Sequence, residues 1–358
     1  MRRLAAIFLC IVLLAGVTSG CGNLKKEKRR IAVITDYTTV EEDVFYVTIW
    51  NAAKEIADRE GIPCTAYTTS DETYLARKET IERAIQEGTT LVVLPSSNFG
   101  GVLSEVQFAH PEVKFLAIDV GEGDMIQAPQ TNIYACAFRE EEVGFLAGYA
   151  TVREGYHSLG FLGGVELPSI KRFCYGYIQG ADMAANELME DINIKYSYAG
   201  QFYGDLKIAE QMNKWYDEGT EVVFSCGGGI YTSVVEAAVS HEGMVIGVDV
   251  DQGLEGHKYS YNPFLTSAMK GIKEITTEVV EHYVNDSWDV IGGKIQTLGL
   301  AEGNYVGLPM GKESWQFEKF THGEYDNTCK RIINKEIVIS NDVTKLPEVS
   351  AYTSIIED

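Results

Sequence analysis

The sequence predicts an α/β protein of two lobes, each a parallel sheet that helices cover on both faces. Three observations predict this fold. Short apolar runs alternate with segments of helical periodicity, the alternation restarts after Tyr156, and acidic residues or glycines follow the apolar runs in both halves. Because ligands bind beyond the carboxyl ends of parallel strands, this pattern also predicts a cleft between the lobes.

The first half contains predicted strands that share an apolar, partly β-branched composition: Ile31–Thr35, Leu91–Leu94 and Phe115–Ile118. Residues 71–88 between them predict a helix that begins at Asp71 as N-cap. Its predicted apolar face consists of Tyr74, Leu75, Ile81 and Ile85.

The second half repeats this pattern, with predicted strands at Leu159–Leu162, Glu221–Phe224 and Met244–Val248. A helix within residues 205–219 carries an apolar stripe that indicates core packing, formed by Ile208, Ala209, Met212, Trp215 and Tyr216. A later helix has the apolar positions Ile272, Ile275, Val279, Val280 and Tyr283, and a last helix lies within residues 314–334. Helices after both series predict that the chain crosses between the lobes more than once.

These elements predict the domain boundaries. We expect an N-terminal lobe at residues 31–138, completed by about 252–290. A C-terminal lobe at residues 139–251 is completed by about 291–340, and residues 341–358 form a tail.

The first 20 residues predict a signal peptide. Arg2 and Arg3 precede an apolar run at residues 4–17 that is too short to span a membrane, and small residues then lead to Cys21. This order resembles a bacterial lipoprotein signal, which is cleaved before a cysteine that carries diacylglycerol; an ordinary secretory signal is the alternative. We therefore expect a lipid anchor on Cys21, a basic tether at residues 21–30, and a location on the extracytoplasmic face of the cell membrane.

The composition excludes several classes of protein. The 358 residues include 30 Lys and Arg against 52 Asp and Glu, so the formal net charge is −22 and the surface repels nucleic acid. Hydrophobic residues make up 45% of the chain, which is typical of a folded protein rather than a disordered one. The five cysteines beyond Cys21 are an odd number without a CxxC pair, so neither a disulfide framework nor a zinc site is indicated.

The residues that follow the predicted strands are the candidate ligand contacts. Asp36 and Asp119 follow strands of the first half, and Asp249 follows a strand of the second. Glycine pairs or triplets, Gly163-Gly164 and Gly227–Gly229, follow two further strands of the second half. Acidic groups from both lobes are therefore expected at the cleft.

Eight segments occur in an order that resembles a known family. They are ITDYTTVEEDVFYVTIWNAAKEIA, FREEEVGFLAGYA, LGFLGGVELPSIKRFCYGYIQGA, YAGQFYGDLKIAE, VVFSCGGG, IGVDVDQ, FLTSAMKG and LGLAEGNYVGL, across about residues 31–340. Together they resemble the basic membrane protein family, which includes purine-nucleoside receptor lipoproteins. The resemblance implies a type I periplasmic-binding-protein fold, two doubly wound lobes with a ligand cleft between them. It also implies a substrate-binding component of an ABC importer, with a permease as partner and no cofactor.

The resemblance also implies roles for single residues. Asp119 and Asp249 would hold the hydroxyls of a ribose, one from each lobe, and Lys270 would donate to the sugar and partly neutralise them. A carboxylate suits this role because charged hydrogen bonds contribute about 1.5–3 kcal/mol each. Gly228 and Gly229 would let backbone N–H groups approach the ligand, since no side chain obstructs them. Phe45 and Phe202 would form aromatic walls, and Glu42 would lie at the base edge.

The departures from the family pattern lie on the base side. Thr38 and Thr39 replace paired glycines, Val44, Tyr46 and Val47 replace polar residues around the aromatic, and Tyr231 and Ser233 replace glycines. We therefore expect a nucleoside, with purines favoured by the resemblance, or a related sugar-containing ligand with an altered base preference.

Other functions stay open at this point. The acids Asp36, Glu41, Glu42 and Asp43 resemble the Ca²⁺-binding start of nucleoside hydrolases, although no recognisable catalytic motif accompanies them. A receptor that presents its ligand to a membrane sensor would have the same lobes. We expect a binding protein rather than an enzyme.

Overall fold

The computed structural model describes residues 29–41, 43–303 and 305–358. The predicted signal peptide, Cys21 and the tether up to Lys28 therefore lie outside the described residues, as does Glu42. The last residues of the tether are described, and they are packed against the first lobe. Arg29 donates to the carbonyl of Val284 and lies over the ring of Tyr283.

The first lobe contains a six-stranded parallel sheet in the order β11-β5-β4-β3-β1-β2. Its strands are β1 Ile31–Thr35, β2 Cys64–Thr68, β3 Leu91–Pro95, β4 Lys114–Ile118, β5 Ile133–Phe138 and β11 Lys294–Leu298. The central strands are apolar on both faces because helices cover both faces of the sheet.

The second lobe contains a seven-stranded sheet in the order β12-β10-β9-β8-β6-β7-β13. Its strands are β6 Ser158–Gly163, β7 Ile192–Tyr198, β8 Val222–Cys226, β9 Met244–Asp249, β10 Phe264–Lys270, β12 Val306–Gly307 and β13 Thr353–Glu357. Within it, β7-β6-β8-β9-β10 repeats the arrangement β2-β1-β3-β4-β5 of the first lobe. This confirms the predicted α/β fold with two doubly wound lobes.

The described helices cover the sheets. They are α1 Val44–Glu60, α2 Tyr74–Gln86, α3 Gly100–Ala109, α4 Glu140–Glu154, α5 Pro168–Leu188, α6 Leu206–Asp217, α7 Tyr231–Ser240, α8 Ile272–Val284, α9 Leu300–Gly303 and α10 His322–Ile333. Helix α8 packs against α1 in the first lobe, although β10 directly before it belongs to the second. No described helix is long and apolar enough to cross a membrane.

Helices α4 and α5 approach each other closely through glycines spaced four residues apart. A methyl group added at Gly148 would lie 2.1 Å from the carbonyl oxygen of Tyr177, and one at Gly180 would lie 2.0 Å from that of Phe145. Gly144 and Gly176 make equally close approaches. The GxxxG spacing on both helices therefore fixes how their first turns, which reach the cleft, lie relative to each other.

The chain crosses between the lobes three times within the described residues, after β5, after β10 and after β11. The crossing segments lie side by side. The N–H of Arg139 donates to Leu298, and the N–H of Gly271 donates to Tyr305. These segments form the hinge, and the prediction of repeated crossing is confirmed.

The lobe boundaries differ from the predicted ones. Residues 264–270 belong to the second sheet because β10 pairs with β9, so the first lobe is completed by residues 272–298. The predicted tail contains β13, which pairs with β7. The boundaries differ because strand pairing decides to which lobe a strand belongs. The alternation of apolar runs and helical segments along the chain does not specify that pairing.

Helix α2 also differs from its prediction. Its N-cap is Thr73 rather than Asp71, which instead accepts from the N–H of Thr73. Tyr74 and Leu75 are exposed, whereas Arg77 is buried. Arg77 turns inward because it pairs with the buried Asp36. The apolar stripe of α6 is buried as predicted, except for the half-buried Ala209.

Candidate functional site

Asp119 and Asp249 occupy equivalent places in the two lobes. Asp119 follows β4, and Asp249 ends β9, the fourth strand of its own lobe. Both have a left-handed backbone, with φ of 62° and 65°. A non-glycine residue rarely adopts this conformation, and it redirects each side chain as the strand leaves the sheet. Two carboxylates from opposite lobes thus lie at the carboxyl ends of parallel strands.

Lys270 brings these two carboxylates together. It is the last residue of β10, directly before the second crossing. Its Nζ lies 3.0 and 3.2 Å from the carboxylate oxygens of Asp119 and 3.5 Å from Asp249 Oδ1. Its side chain is only 4% exposed. A lysine of the second lobe therefore makes its closest ion pair with the first lobe.

A third carboxylate, that of Glu140, completes the group around the lysine. Glu140 Oε1 lies 3.3 Å from Lys270 Nζ, and Glu140 Oε2 accepts from Arg172 Nε at 2.6 Å. Glu140 opens α4 and Arg172 lies in the first turns of α5, so the glycine contacts between these helices hold the pair in place.

The pKa values of Lys270 and Asp249 are shifted for different reasons. Burial alone would lower the pKa of Lys270, but the three carboxylates outweigh burial and hold that pKa well above its usual range. Lys270 is therefore charged. Burial raises the pKa of Asp249 to about 6, and Lys270 offsets this only in part, since Asp119 adds repulsion.

Three buried carboxylate oxygens in this region accept no hydrogen bond from the part of the chain that the structure describes: Glu140 Oε1, Asp249 Oδ1 and Asp251 Oδ1. The other oxygen of Asp251 accepts from the hydroxyl of Ser314 at 2.6 Å. A buried acceptor without a donor costs about 1–3 kcal/mol, so such atoms are expected where a ligand supplies the donor. The two oxygens beside Lys270 belong to residues on different elements, β9 and α4.

Aromatic rings surround the ammonium group of Lys270. The centroids of Phe45, Phe138 and Phe173 lie 5.9, 5.5 and 5.3 Å from Nζ. This distance allows a cation–π attraction. Phe45, predicted as an aromatic wall, therefore lies beside the same group as the two aspartates.

Phe202, Gly228 and Gly229, three further predicted contacts, lie together at the second lobe's edge of the cleft. The ring of Phe202 lies against Gly164 and Gly227, and its carbonyl accepts from the N–H of Gly229 at 2.7 Å. The N–H of Gly229 is therefore engaged within the protein. Gly228 has a φ of 53°, and a methyl group there would lie 2.8 Å from Asp43 Oδ2.

Asp43, which the sequence reasoning placed only in an acidic cluster, reaches this edge from the first lobe. Its Oδ1 caps α1 by accepting from the N–H of Phe45 at 2.8 Å, and its Oδ2 faces Gly228 across the cleft. Burial raises its pKa. Its place at the start of a helix, one residue after Glu42 and two before Phe45, was the available indication of this role.

Within the acidic cluster at residues 36–43, Asp36 pairs with an arginine and Asp43 caps a helix. Both oxygens of Asp36 accept from Arg77, at 2.9 and 2.7 Å, and Oδ2 also accepts from Asn98. No group of three metal-ligating side chains suited to an ion occurs among the residues that the structure describes.

Comparisons with known proteins agree with this architecture. Residues 28–342 match the family model Bmp, described as ABC transporter substrate-binding protein PnrA-like. The chain is 29% identical to Basic membrane protein A1 of Borrelia garinii subsp. bavariensis over 340 residues, 94% of this chain and 95% of that protein. It is 34% identical to Basic membrane protein B of Borreliella afzelii over 260 residues, 70% of each chain.

Solved structures show the same fold. An ABC transporter solute-binding protein from Aeropyrum pernix K1 superposes with a TM-score of 0.73 at 18% identity, over 87% of this chain and 94% of that one. A solute-binding protein from Conexibacter woesei DSM 14684 gives a TM-score of 0.67 at 17% identity, over 87% and 99%. The family match spans both lobes and the hinge, and the chain therefore belongs to the Bmp family of PnrA-like ABC transporter substrate-binding proteins.

Proposed function

We propose that this protein captures a nucleoside, with purines favoured, or a related sugar-containing ligand between its lobes and delivers it to an ABC permease. Asp119, Asp249 and Lys270 hold the sugar, and the rings of Phe45 and Phe202 flank the base. A lipid anchor on Cys21 keeps the protein at the extracytoplasmic face of the membrane.

The observation that carries this proposal is a pair of buried carboxylate oxygens, Asp249 Oδ1 and Glu140 Oε1, which make ion pairs with Lys270 at 3.5 and 3.3 Å but accept no hydrogen bond from the described residues. Vicinal hydroxyls of a sugar supply two donors a short distance apart, which matches two acceptors that face one ammonium group. A ligand of this kind satisfies both oxygens without adding charge to the buried group.

The charges disfavour a phosphorylated ligand. Asp119, Asp249 and Glu140 lie around Lys270, and Asp43 adds a further, half-buried carboxylate at the edge. Carboxylates therefore outnumber the cations Lys270 and Arg172. A phosphate would add two negative charges to this cleft, so the uncharged nucleoside fits better than its nucleotide.

The residues near Phe45 support an altered base preference. Tyr46 stands where the resemblance expects a polar amide residue, and burial together with Asp43 and Asp36 raises its pKa well above the usual range. The hydroxyl therefore stays neutral, and a bulky phenol lies where the family has a smaller side chain.

Binding measurements with nucleosides test the proposal. We expect calorimetry to give a Kd in the micromolar range or tighter for at least one nucleoside, about −8 kcal/mol, and binding at least 100-fold weaker for its 5′-monophosphate. Native mass spectrometry of the purified protein identifies a retained ligand. If neither nucleosides nor pentoses bind, or if the monophosphate binds equally well, the proposal is wrong.

A turnover assay separates binding from catalysis. Asp36 is tied to Arg77 rather than free to hold an ion, which supports a binding protein over a hydrolase. We expect no release of free base after prolonged incubation with the nucleoside that binds. Any base above that released by a matched heat-denatured sample would contradict a pure binding role.

A further inference from the structure

A cavity adjoins the group around Lys270. This side cavity has a volume of about 310 Å³, lies between the loop that follows β4 and the start of α5, and shares Asp119 and Phe138 with that group. Its size is within the range of small-molecule sites. Residues of both lobes line it, so it lies between the lobes on the side of α4 and α5.

The lining of the side cavity is acidic. Asp119, Glu122, Asp124 and Glu141 line it, against the single cation Arg172. Asp119 is engaged by Lys270, and Asp124 Oδ2 accepts from the N–H of Gly121 at 2.8 Å. Arg172 is engaged by Glu140. Among the described lining residues, Glu122 and Glu141 therefore remain as acidic side chains without a hydrogen-bonded cation.

The burial and hydrogen bonding of Glu141 indicate a ligand independently of the number of charges in the lining. Glu141 is only 5% exposed, and its Oε2 accepts no hydrogen bond from the residues that the structure describes. The nearest cation, Arg172 Nε, lies 4.0 Å away, beyond hydrogen-bond distance, and is bound to Glu140 instead. Burial raises the pKa of Glu141 to about 7, and the neighbouring Glu140 adds to this effect. A buried acceptor lining a cavity without a donor calls for a donor from a ligand.

The N-terminus of α5 opposes this charge only weakly. The helix begins at Pro168, which lines the cavity, and its cap residue Leu167 has no capping side chain. A helix N-terminus contributes about half a positive charge. That is less than the excess of carboxylates over the one arginine.

We propose that the side cavity binds a small organic ammonium group, held by Glu141 with support from Glu122. The group is either a free amine or the charged end of a larger ligand whose sugar lies against Asp119. This site is additional to the sugar-binding group, and its occupant is recognised by charge rather than by hydroxyls.

Titration of the whole mature protein with 1,4-diaminobutane tests this inference, with butane-1,4-diol as an uncharged probe of equal length. We expect calorimetry in 150 mM salt to detect the diamine and not the diol. Glu141→Gln should weaken diamine binding at least tenfold, and the exposed variant Glu122→Gln, which leaves the core intact, about threefold. Glu348→Gln, on a fully solvated side chain, is the control for the charge of the protein and should change nothing.

Two further measurements determine whether the ammonium group is a free amine or part of a larger ligand, and whether the side cavity is separate from the sugar-binding group. If 2′-, 3′- or 5′-aminodeoxyadenosine binds more tightly than adenosine and Glu141→Gln removes the gain, the ammonium belongs to a larger ligand. Asp249→Asn should weaken the binding of adenosine and leave the binding of the diamine unaffected.

If no nucleoside binds but the diamine does, the proposed function is wrong and the inference about the side cavity is still supported. Equal binding of diamine and diol, an unchanged Kd in both Glu141→Gln and Glu122→Gln, or binding of inorganic phosphate in place of the diamine would overturn the inference.

Discussion

Asp119 and Asp249 end equivalent strands of the two lobes and share a left-handed backbone, yet their surroundings differ. Both oxygens of Asp119 accept from Lys270. Asp249 Oδ1 is buried and lies 3.5 Å from the same Nζ, but it accepts no hydrogen bond from the described residues. The lysine belongs to the strand beside Asp249 but pairs with the lobe opposite. The two lobes thus place aspartates at equivalent positions, but Asp119 accepts hydrogen bonds from Lys270 and Asp249 makes only a longer ion pair with it.

This difference assigns separate tasks to two similar residues. The pair between Lys270 and Asp119 links the lobes in the structure as it stands. Asp249, whose pKa is raised to about 6, gains most from a hydroxyl that donates to it. Stability and ligand binding should therefore respond differently when each residue is changed.

The largest expected effect is on Lys270. Lys270→Met leaves Asp119, Asp249 and Glu140 without their common cation, and removal of one partner from a buried ion pair costs about 3–5 kcal/mol. We expect the free energy of unfolding in urea to fall by that amount and nucleoside binding to be lost.

Lys214→Met is the matched control for this change. Lys214 is 58% exposed and pairs with Glu218 and Asp358 on the surface, so its loss should cost less than about 0.5 kcal/mol. Equal effects of the two variants would mean that Lys270 does not hold the buried group together.

The second prediction compares Asp119→Asn with Asp249→Asn directly. Both should weaken nucleoside binding at least tenfold, because each removes a charged acceptor. Only Asp119→Asn should destabilise the ligand-free protein at pH 7.5, by about 1–3 kcal/mol, since it removes the closest partner of Lys270. Asp326→Asn, on an exposed helix position, serves as the control.

The pH dependence gives the sign of the Asp249 effect. With a folded pKa of about 6 against an ordinary value of 3.8, the folded state binds more protons than the unfolded state between these pH values. The contribution of Asp249 to stability therefore falls as the pH rises through this window. Asp249→Asn should gain about 1–2 kcal/mol over the unmodified protein between pH 4.5 and 7.5, as urea unfolding measures. A constant difference across that range would show that the carboxyl of Asp249 is not perturbed.

The smallest effect concerns the edge of the cleft. Gly228→Ala places a methyl group 2.8 Å from Asp43 Oδ2 at a φ of 53°, whereas Gly229→Ala meets nothing closer than 3.2 Å. A left-handed alanine costs about 1–2 kcal/mol. We expect Gly228→Ala to weaken nucleoside binding about tenfold and Gly229→Ala less than threefold, measured by calorimetry. The reverse order would indicate that this edge stays open when ligand is bound.

The sequence predicted the alternation of the fold and, through the family resemblance, several residues that the structure brings together. Asp119, Asp249, Lys270 and Phe45 lie in one group because the ends of parallel strands converge in space. The assignment of Lys270 to the second sheet could not be predicted, since strand pairing decides where the chain crosses between the lobes.

Glu140 and Asp43 were missed for different physical reasons. Glu140 lies in the run Glu140–Glu142, which is typical of the solvated first turn of a helix, and only close helix packing buries it. Asp43 is an ordinary helix cap by sequence, and its second oxygen acquires a neighbour only because the lobes face each other.

Because α4 and α5 are in close contact, a substitution far from the cleft can change the arrangement of the residues in the cleft. Gly148 lies eight residues beyond Glu140, about 12 Å along the helix axis, and touches no ligand group. One extra methyl group there would wedge the helices apart and shift Glu140 away from Arg172. Random mutagenesis would then recover an inactive variant at Gly148, which lies inside the contact between the two helices and has neither a charged nor an aromatic side chain.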